Sequence, residues 1–288
     1  GELSKLLNTA ESDTVLGIVG PGCSGATKNS NSLSQFFDRP QMCYGCSSPT
    51  LNRASDFPYF LRGCVDGQAI IESQATLAIR LGVKHTLILF DTSEFMNEMR
   101  GVFTTIYNTA GGTIHEINGP YGSRIDPTKP AEAKEVLTKA AETTAVGVVL
   151  LGYTAFYQIV IDNCGALCEG SRVLFGGSAG TPEYLIAAAA MSTNGGFAAK
   201  TFGMVYSKDG VESWPDPPFL ARLEAKRASL NRGSSTSIVH ALFSYDVVHT
   251  FASAVNVLSD AGADLANANA NRVLGPALMV ALRQNVTF

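Results

Sequence analysis

Charge is scarce in this chain. Asp, Glu, Lys and Arg make up 16% of 288 residues, no stretch is rich in Lys or Arg, and the net charge is −4. That excludes the basic stripe by which proteins grip a phosphate backbone, so no nucleic-acid partner is expected. Long apolar runs are missing too. The longest run of small apolar residues, Ala187 to Met191, falls far short of the roughly 20 residues that cross a bilayer. Nothing at the amino terminus reads as a signal peptide. The six cysteines are even in number but too dilute for a disulfide scaffold.

What is present points to folded α/β structure. Hydrophobic residues make up 45% of the chain, enough to exclude disorder, and the length is generous for one compact domain. Short apolar runs alternate with amphipathic stretches, the pattern of parallel sheets flanked by helices. Strands are expected at 15–19, 41–44, 59–62, 86–90, 113–117, 146–151, 173–175 and 202–205. Helices are expected near 24–37, 68–81, 95–110, 130–143, from 152 to Cys168, 237–258 and 272–283, with one more opened by Pro215, Pro217 and Pro218. Residues 119–130 read as a loop, and Gly195-Gly196 marks a break. The chain opens on Glu2 to Leu7, which looks like the middle of a helix, so segments are expected to be missing at both ends. Asn285-Val286-Thr287 is a single glycosylation sequon, which suits a secreted domain.

Five ordered blocks carry a resemblance. Val15 to Ser24 contains Gly20-Pro21-Gly22-Cys23-Ser24. It is similar to the "IGPGCS" segment of the receptor-family ligand-binding region, which includes class C G-protein-coupled receptor and natriuretic-peptide receptor ectodomains. Pro40 to Pro49 resembles the family's "PQISYGATSP", and Tyr59 to Arg62 its "YFFR". Ala241 to Val248 resembles its "AYDAV" helix, and Ala281 to Phe288 its "ALRNVTF". The resemblance implies a type I periplasmic-binding-protein (Venus-flytrap) fold with two lobes, residues 1–63 and 200–288 in lobe 1 and 64–199 in lobe 2. It also implies an extracellular sensor that closes on a small amino acid-like or carboxylate ligand. Such a sensor pairs as a homo- or heterodimer through lobe 1 and meets the plasma membrane only through segments outside this chain. A soluble substrate-binding protein of a transporter shares the fold. No cofactor, metal or catalytic residue is implied.

Candidate contacts follow from both routes. Gly22, Cys23 and Ser24 lie between a strand and a helix amino terminus, where unpaired N–H groups and the helix dipole attract an anion. Ser24 is either a ligand contact or a plain N-cap. Gly45, Cys46 and Ser47 form the next loop, and the family supplies a ligand hydroxyl at the position of Ser47; an ordinary turn before Pro49 is the competing reading. Phe95 stands where amino-acid receptors often carry a Tyr. The turn Gly176 to Gly180, including Ser178, lacks the acid that captures a ligand ammonium. A buried ammonium left unpaired costs several kcal/mol, so an α-amino acid ligand is in doubt unless Asp66 or Asp91 compensates. Either acid also reads as a solvated cap.

Enzyme readings fare worse. Gly20 to Gly25 matches G-x-G-x-x-G, but the next strand ends in Tyr44-Gly45-Cys46 with no acid for a ribose. Gly176-Gly177-Ser178-Ala179-Gly180 matches a nucleophile elbow, with Asp246 and His249 following in the order of a serine hydrolase. Those two, however, sit three apart on one helix. His85 and His115 flank strands and read as surface or packing residues. Cys43-Tyr44-Gly45-Cys46 is a C-x-x-C whose side chains would point to opposite faces if the strand stayed extended. No second C-x-x-C completes a zinc site. Cys164 and Cys168 lie a helical turn apart, which suits a disulfide only if that helix ends early.

Overall fold

The computed structural model describes residues 15–169, 172–176, 201–203, 225, 238–265 and 268–285. The chain divides into two units, Gly1–Asp66 with Thr236–Phe288, and Gly67–Ser235. Among the described residues the strands pair in parallel, which requires crossovers and brings helices onto the sheet faces.

The first unit holds a three-stranded sheet in the order β1 (Ile18–Val19), β2 (Gln41–Cys43), β3 (Phe60–Arg62). Helix α1 (Ser24–Phe36) connects β1 to β2. Successive side chains on β2 point to opposite faces. Met42 accordingly packs with Val247, Phe251 and Ala254 of α7 (Ile238–Asp260) and Leu278, Ala281 and Leu282 of α8 (Ala268–Asn285). Cys43 turns the other way, into a small cluster with Cys46, Leu51 and Phe60.

The second unit is built on a six-stranded parallel sheet. Its elements are α2 (Gly67–Arg80), β4 (His85–Asp91), α3 (Glu94–Thr109), β5 (Thr113–His115), β6 (Arg124–Ile125), α4 (Pro130–Glu142), β7 (Gly147–Leu151), α5 (Thr154–Asn163), α6 (Ala166–Glu169), β8 (Val173–Gly176) and β9 (Thr201–Gly203). The strand order is β5-β4-β7-β8-β9, with β6 paired to the end of β4. Strict alternation fills both faces. Leu87, Leu89, Val148, Leu150 and Leu174 meet Ala133, Val136, Leu137 and Ala140 of α4 and Phe156 and Val160 of α5. Ile88, Phe90, Val149, Leu151 and Phe175 meet Ile71, Ala75 and Ala78 of α2 and Met96, Met99, Phe103 and Tyr107 of α3. Those helical residues recur every three or four positions, as a helix buried on one stripe must.

Two expectations change. The stretch 119–130 is not all loop, since Arg124–Ile125 pairs with Phe90 and Asp91. Residues from 200 onward were assigned to the first lobe, but Thr201–Gly203 hydrogen-bonds beside Leu174, Phe175 and Gly176 in the second unit's sheet. The break at Gly195-Gly196 and the helix after Pro215 lie outside the described residues. Among the described residues no helix is long and apolar enough to cross a membrane.

Candidate ligand-binding site

Open parallel sheets bind ligands at the carboxyl ends of their strands, and in the first unit that edge carries three loops. After β1, Gly20 has φ +102°, a conformation that favours glycine. A Cβ added to Gly22 would stand 2.9 Å from the Tyr44 ring, so the loop and the ring pack too closely for a side chain there. Cys23 is extended, exposed, and the N-cap of α1, but its side chain caps nothing. The first turn of α1 also carries no acidic residue. Its positive end is therefore not neutralised by a capping side chain or a first-turn acid.

Ser24 is the first helical residue rather than the N-cap. Its half-buried hydroxyl accepts the backbone N–H of Ser48, at 3.0 Å, from the loop after β2. That removes the N-cap reading, and Ser24 links two loops. Arg62, at the end of β3, extends the link. Its Nη2 donates to the Ser48 carbonyl at 2.9 Å, while Nη1 lies 2.9 Å from Asp66 Oδ1. Asp66 also accepts from Asn52 Nδ2 at 2.5 Å. Ser48 is buried and Ser47, its neighbour, is half-buried.

A buried amide holds this arrangement from below. Gln41 Nε2 donates to the Gly20 carbonyl at 2.8 Å and to Ser30 Oγ at 2.6 Å. Its Oε1 accepts from Asn31 Nδ2 at 3.1 Å and Ser34 Oγ at 3.4 Å. Both donors and the acceptor of the side-chain amide are thus satisfied, the condition for burying it without penalty. Thr27 adds a bond from its hydroxyl to the Cys23 carbonyl at 3.0 Å. The loop between β1 and α1 is therefore tied to β2 as firmly as to its own helix.

The C-x-x-C motif departs from the extended reading. β2 stops at Cys43, the chain turns through Tyr44 and Gly45, and Cys46 comes back to form a disulfide with Cys43, Cα atoms 5.9 Å apart. That separation is ordinary for a disulfide. Cys64 lies beside the pair, and the three sulfurs stand within 4.8 Å of one another, all buried. Burial pushes the Cys64 thiol above its ordinary pKa; the Arg62 charge, the Ser47 hydroxyl and the Cys46 amide oppose that shift. Cys164 is also disulfide-bonded. α5 does end early, at Asn163, with Cys164 as its C-cap.

In the second unit, Asp91 ends β4 buried. Its Oδ1 accepts from the Ser93 N–H at 2.8 Å and the Ser93 hydroxyl at 2.5 Å, and Ser93 Oγ caps α3 through the Met96 N–H at 3.3 Å. Phe95 follows in the first turn of α3, half-buried against the α2–α3 core. Gln74 of α2 donates to the Gly176 carbonyl at the end of β8. Ser178 lies outside the described residues. Asp246 and His249 are exposed on α7 of the first unit. His85 and His115 face each other across β4 and β5, Nδ1 to Nε2 at 3.3 Å, on an exposed edge. Sequence reasoning missed Gln41, Arg62 and Cys64 as site residues, and placed Ser48 on the rim but chose its neighbour Ser47 as the contact. Arg62 ends β3 in register with Cys43 at the end of β2, a pairing that only the folded sheet displays.

Known proteins bear on the fold and the family. The chain is similar to a solute-binding protein of an ABC transporter from R. palustris, solved in complex with benzoate. The two share 16% identity and a TM-score of 0.65, over 98% of this chain and 69% of that one. That likeness is one of fold: an α/β architecture of parallel sheets flanked by helices, the type I periplasmic-binding-protein fold. A comparison with curated proteins finds no match. A family model described as the receptor family ligand binding region matches residues 2–162. Glycine-loop, serine loop and strand register all lie within that span, and the chain belongs to the receptor family ligand binding region.

Proposed function

We propose that this chain is the extracellular sensor of a signalling receptor and binds a small carboxylate. The carrying observation is the α1 amino terminus, with no side-chain cap or first-turn acid and with the hydroxyls of Ser24 and Ser47 on the adjoining loops. A carboxylate there receives N–H donors and favourable dipole energy at once. The α-amino acid version is weaker. Asp66 is already paired with Arg62 and Asn52, and Asp91 is engaged by Ser93. Asp66, already paired with a cation, does not stand ready to neutralise an ammonium. The R. palustris protein was solved with benzoate, a carboxylate without an amine.

The work is a population shift. The candidate contacts are Gly22, Cys23, Ser24, Gly45, Cys46 and Ser47 of the first unit, with Phe95 and Ser178 as the further residues the family resemblance suggests. The closed state is favoured by the ligand's differential affinity. No catalytic residue takes part. In a receptor the first unit also pairs with a second subunit. The soluble transporter-component reading keeps the same clamp, and the R. palustris likeness supports it equally. A membrane anchor in the full-length product favours the receptor; free release of the product favours the transporter component.

A thermal-shift screen tests the proposal. Carboxylates, amino acids, amines and nucleosides are added singly, and a binder at about 100 times its Kd stabilises the fold by about 2.7 kcal/mol. Carboxylates that raise Tm while matched amines do not support the reading. A shift with amines alone contradicts it. Labelling of Ser178 by a fluorophosphonate would instead favour a serine hydrolase.

A further inference from the structure

The β2–β3 register does more than align two loops. Cys43 pairs with Arg62, so Cys64 emerges two residues past the strand end, beside the C-x-x-C turn. We propose that Cys43, Cys46 and Cys64, in their dithiol-plus-thiol form, make a buried three-sulfur site for one thiophilic metal ion such as Zn(II), Cd(II) or Cu(I).

Geometry carries this. Metal–sulfur bonds of about 2.3 Å place three sulfurs around one ion about 4 Å apart, and here all three already lie within 4.8 Å of one another. The turn is built to hold a thiolate. Cys43 Sγ accepts the Gly45 N–H at 3.3 Å and the Cys46 N–H at 2.8 Å. Cys64 is contacted by the Ser47 hydroxyl and the Cys46 amide, with the Arg62 cation close by. Such donors orient and stabilise ligands around a metal. The Arg62 cation is shared with Asp66, 2.9 Å away, and offsets only part of the net negative charge of three thiolates on a divalent ion. Burial on all sides keeps competing water away. Soft thiolates select ions of this class over Mg(II) or Ca(II).

The balance is explicit. Two sulfurs are joined in this structure, so a thiol or phosphine reductant first supplies two electrons, breaking the Cys43–Cys46 bond. Metal binding then displaces the thiol protons, up to three per ion, into solvent.

The full chain carrying Cys164→Ala, so that reduction opens no second dithiol, is the reference protein. It is reduced with a phosphine, freed of excess reagent, titrated with Cd(II) and followed by its thiolate charge-transfer absorbance. A saturable one-to-one endpoint is expected in the reference protein and with Cys23→Ser added to it, and its loss with Cys64→Ser added. Circular dichroism confirms that each variant is folded. Should Cys64→Ser misfold, X-ray absorption on the zinc complex of the reference protein decides alone: three sulfur neighbours support the site. Two sulfurs or fewer, an unchanged endpoint in Cys64→Ser, or no saturable binding after reduction overturns it.

Discussion

The Ser24 hydroxyl accepts the Ser48 amide at 3.0 Å and so joins the loop after β1 to the loop after β2. Ser24 is therefore both part of the proposed contact surface and a fastener for it. Ser24→Ala leaves the Ser48 amide, on a buried residue, without that acceptor, which costs about 1–3 kcal/mol. Denaturant midpoints of the two proteins check this. Ser47→Ala removes the contact of its hydroxyl with the Cys64 thiol, a weaker bond because sulfur is a weak partner, and is expected to cost less.

Gln41 is the second fastener. Gln41→Leu keeps the volume but leaves the Gly20 carbonyl and the Asn31 amide without their bonds to it, at about 1–3 kcal/mol for each group left unpaired. Faster hydrogen exchange is expected in residues 18–24, which the buried amide holds against β2. Unchanged exchange there would mean that the loop is held by its backbone bonds alone.

Tyr107 offers a test with a pH sign. Its hydroxyl donates to the Val83 carbonyl at 2.5 Å and accepts from Thr86 Oγ1 at 2.7 Å. Burial raises its pKa above the ordinary 10.0, against the Thr86 bond, which lowers it. With the folded value raised, its contribution is complete below the unfolded pKa and fades as pH climbs through the folded one. Tyr107→Phe is expected to cost about 1–3 kcal/mol at neutral pH, with the gap to wild type closing in alkali. Denaturation at pH 7 and above pH 10 measures both.

Ser93 couples the end of β4 to the start of α3, just ahead of Phe95. Ser93→Ala removes a helix cap worth about 0.5–2 kcal/mol and one donor to buried Asp91. A lower Tm is expected, with weaker ligand binding if Phe95 is a contact.

The fold was largely legible because its code is local. Leu87 and Leu89 against Ile88 and Phe90 display the period of two, and Met96, Met99, Phe103 and Tyr107 the helical spacing. β6 escaped because a two-residue strand has no period to detect. Cys46 was misread because the C-x-x-C was treated as extended although the strand was read to end at Tyr44; the chain turns one residue earlier, after Cys43. The fasteners were hidden for a related reason. Ser48, Arg62 and Cys64 meet only through strand pairing, and Gln41 reads as an ordinary polar residue until the strand is buried.

Calorimetric titration with the strongest carboxylate from the screen tests the central claim most directly. One-to-one binding is predicted for wild type. Affinity should fall roughly tenfold or more in Ser24→Ala and Ser47→Ala, as loss of a hydrogen bond to a charged group implies. Absence of heat for every carboxylate, or equal affinity in wild type and both variants, would contradict the account.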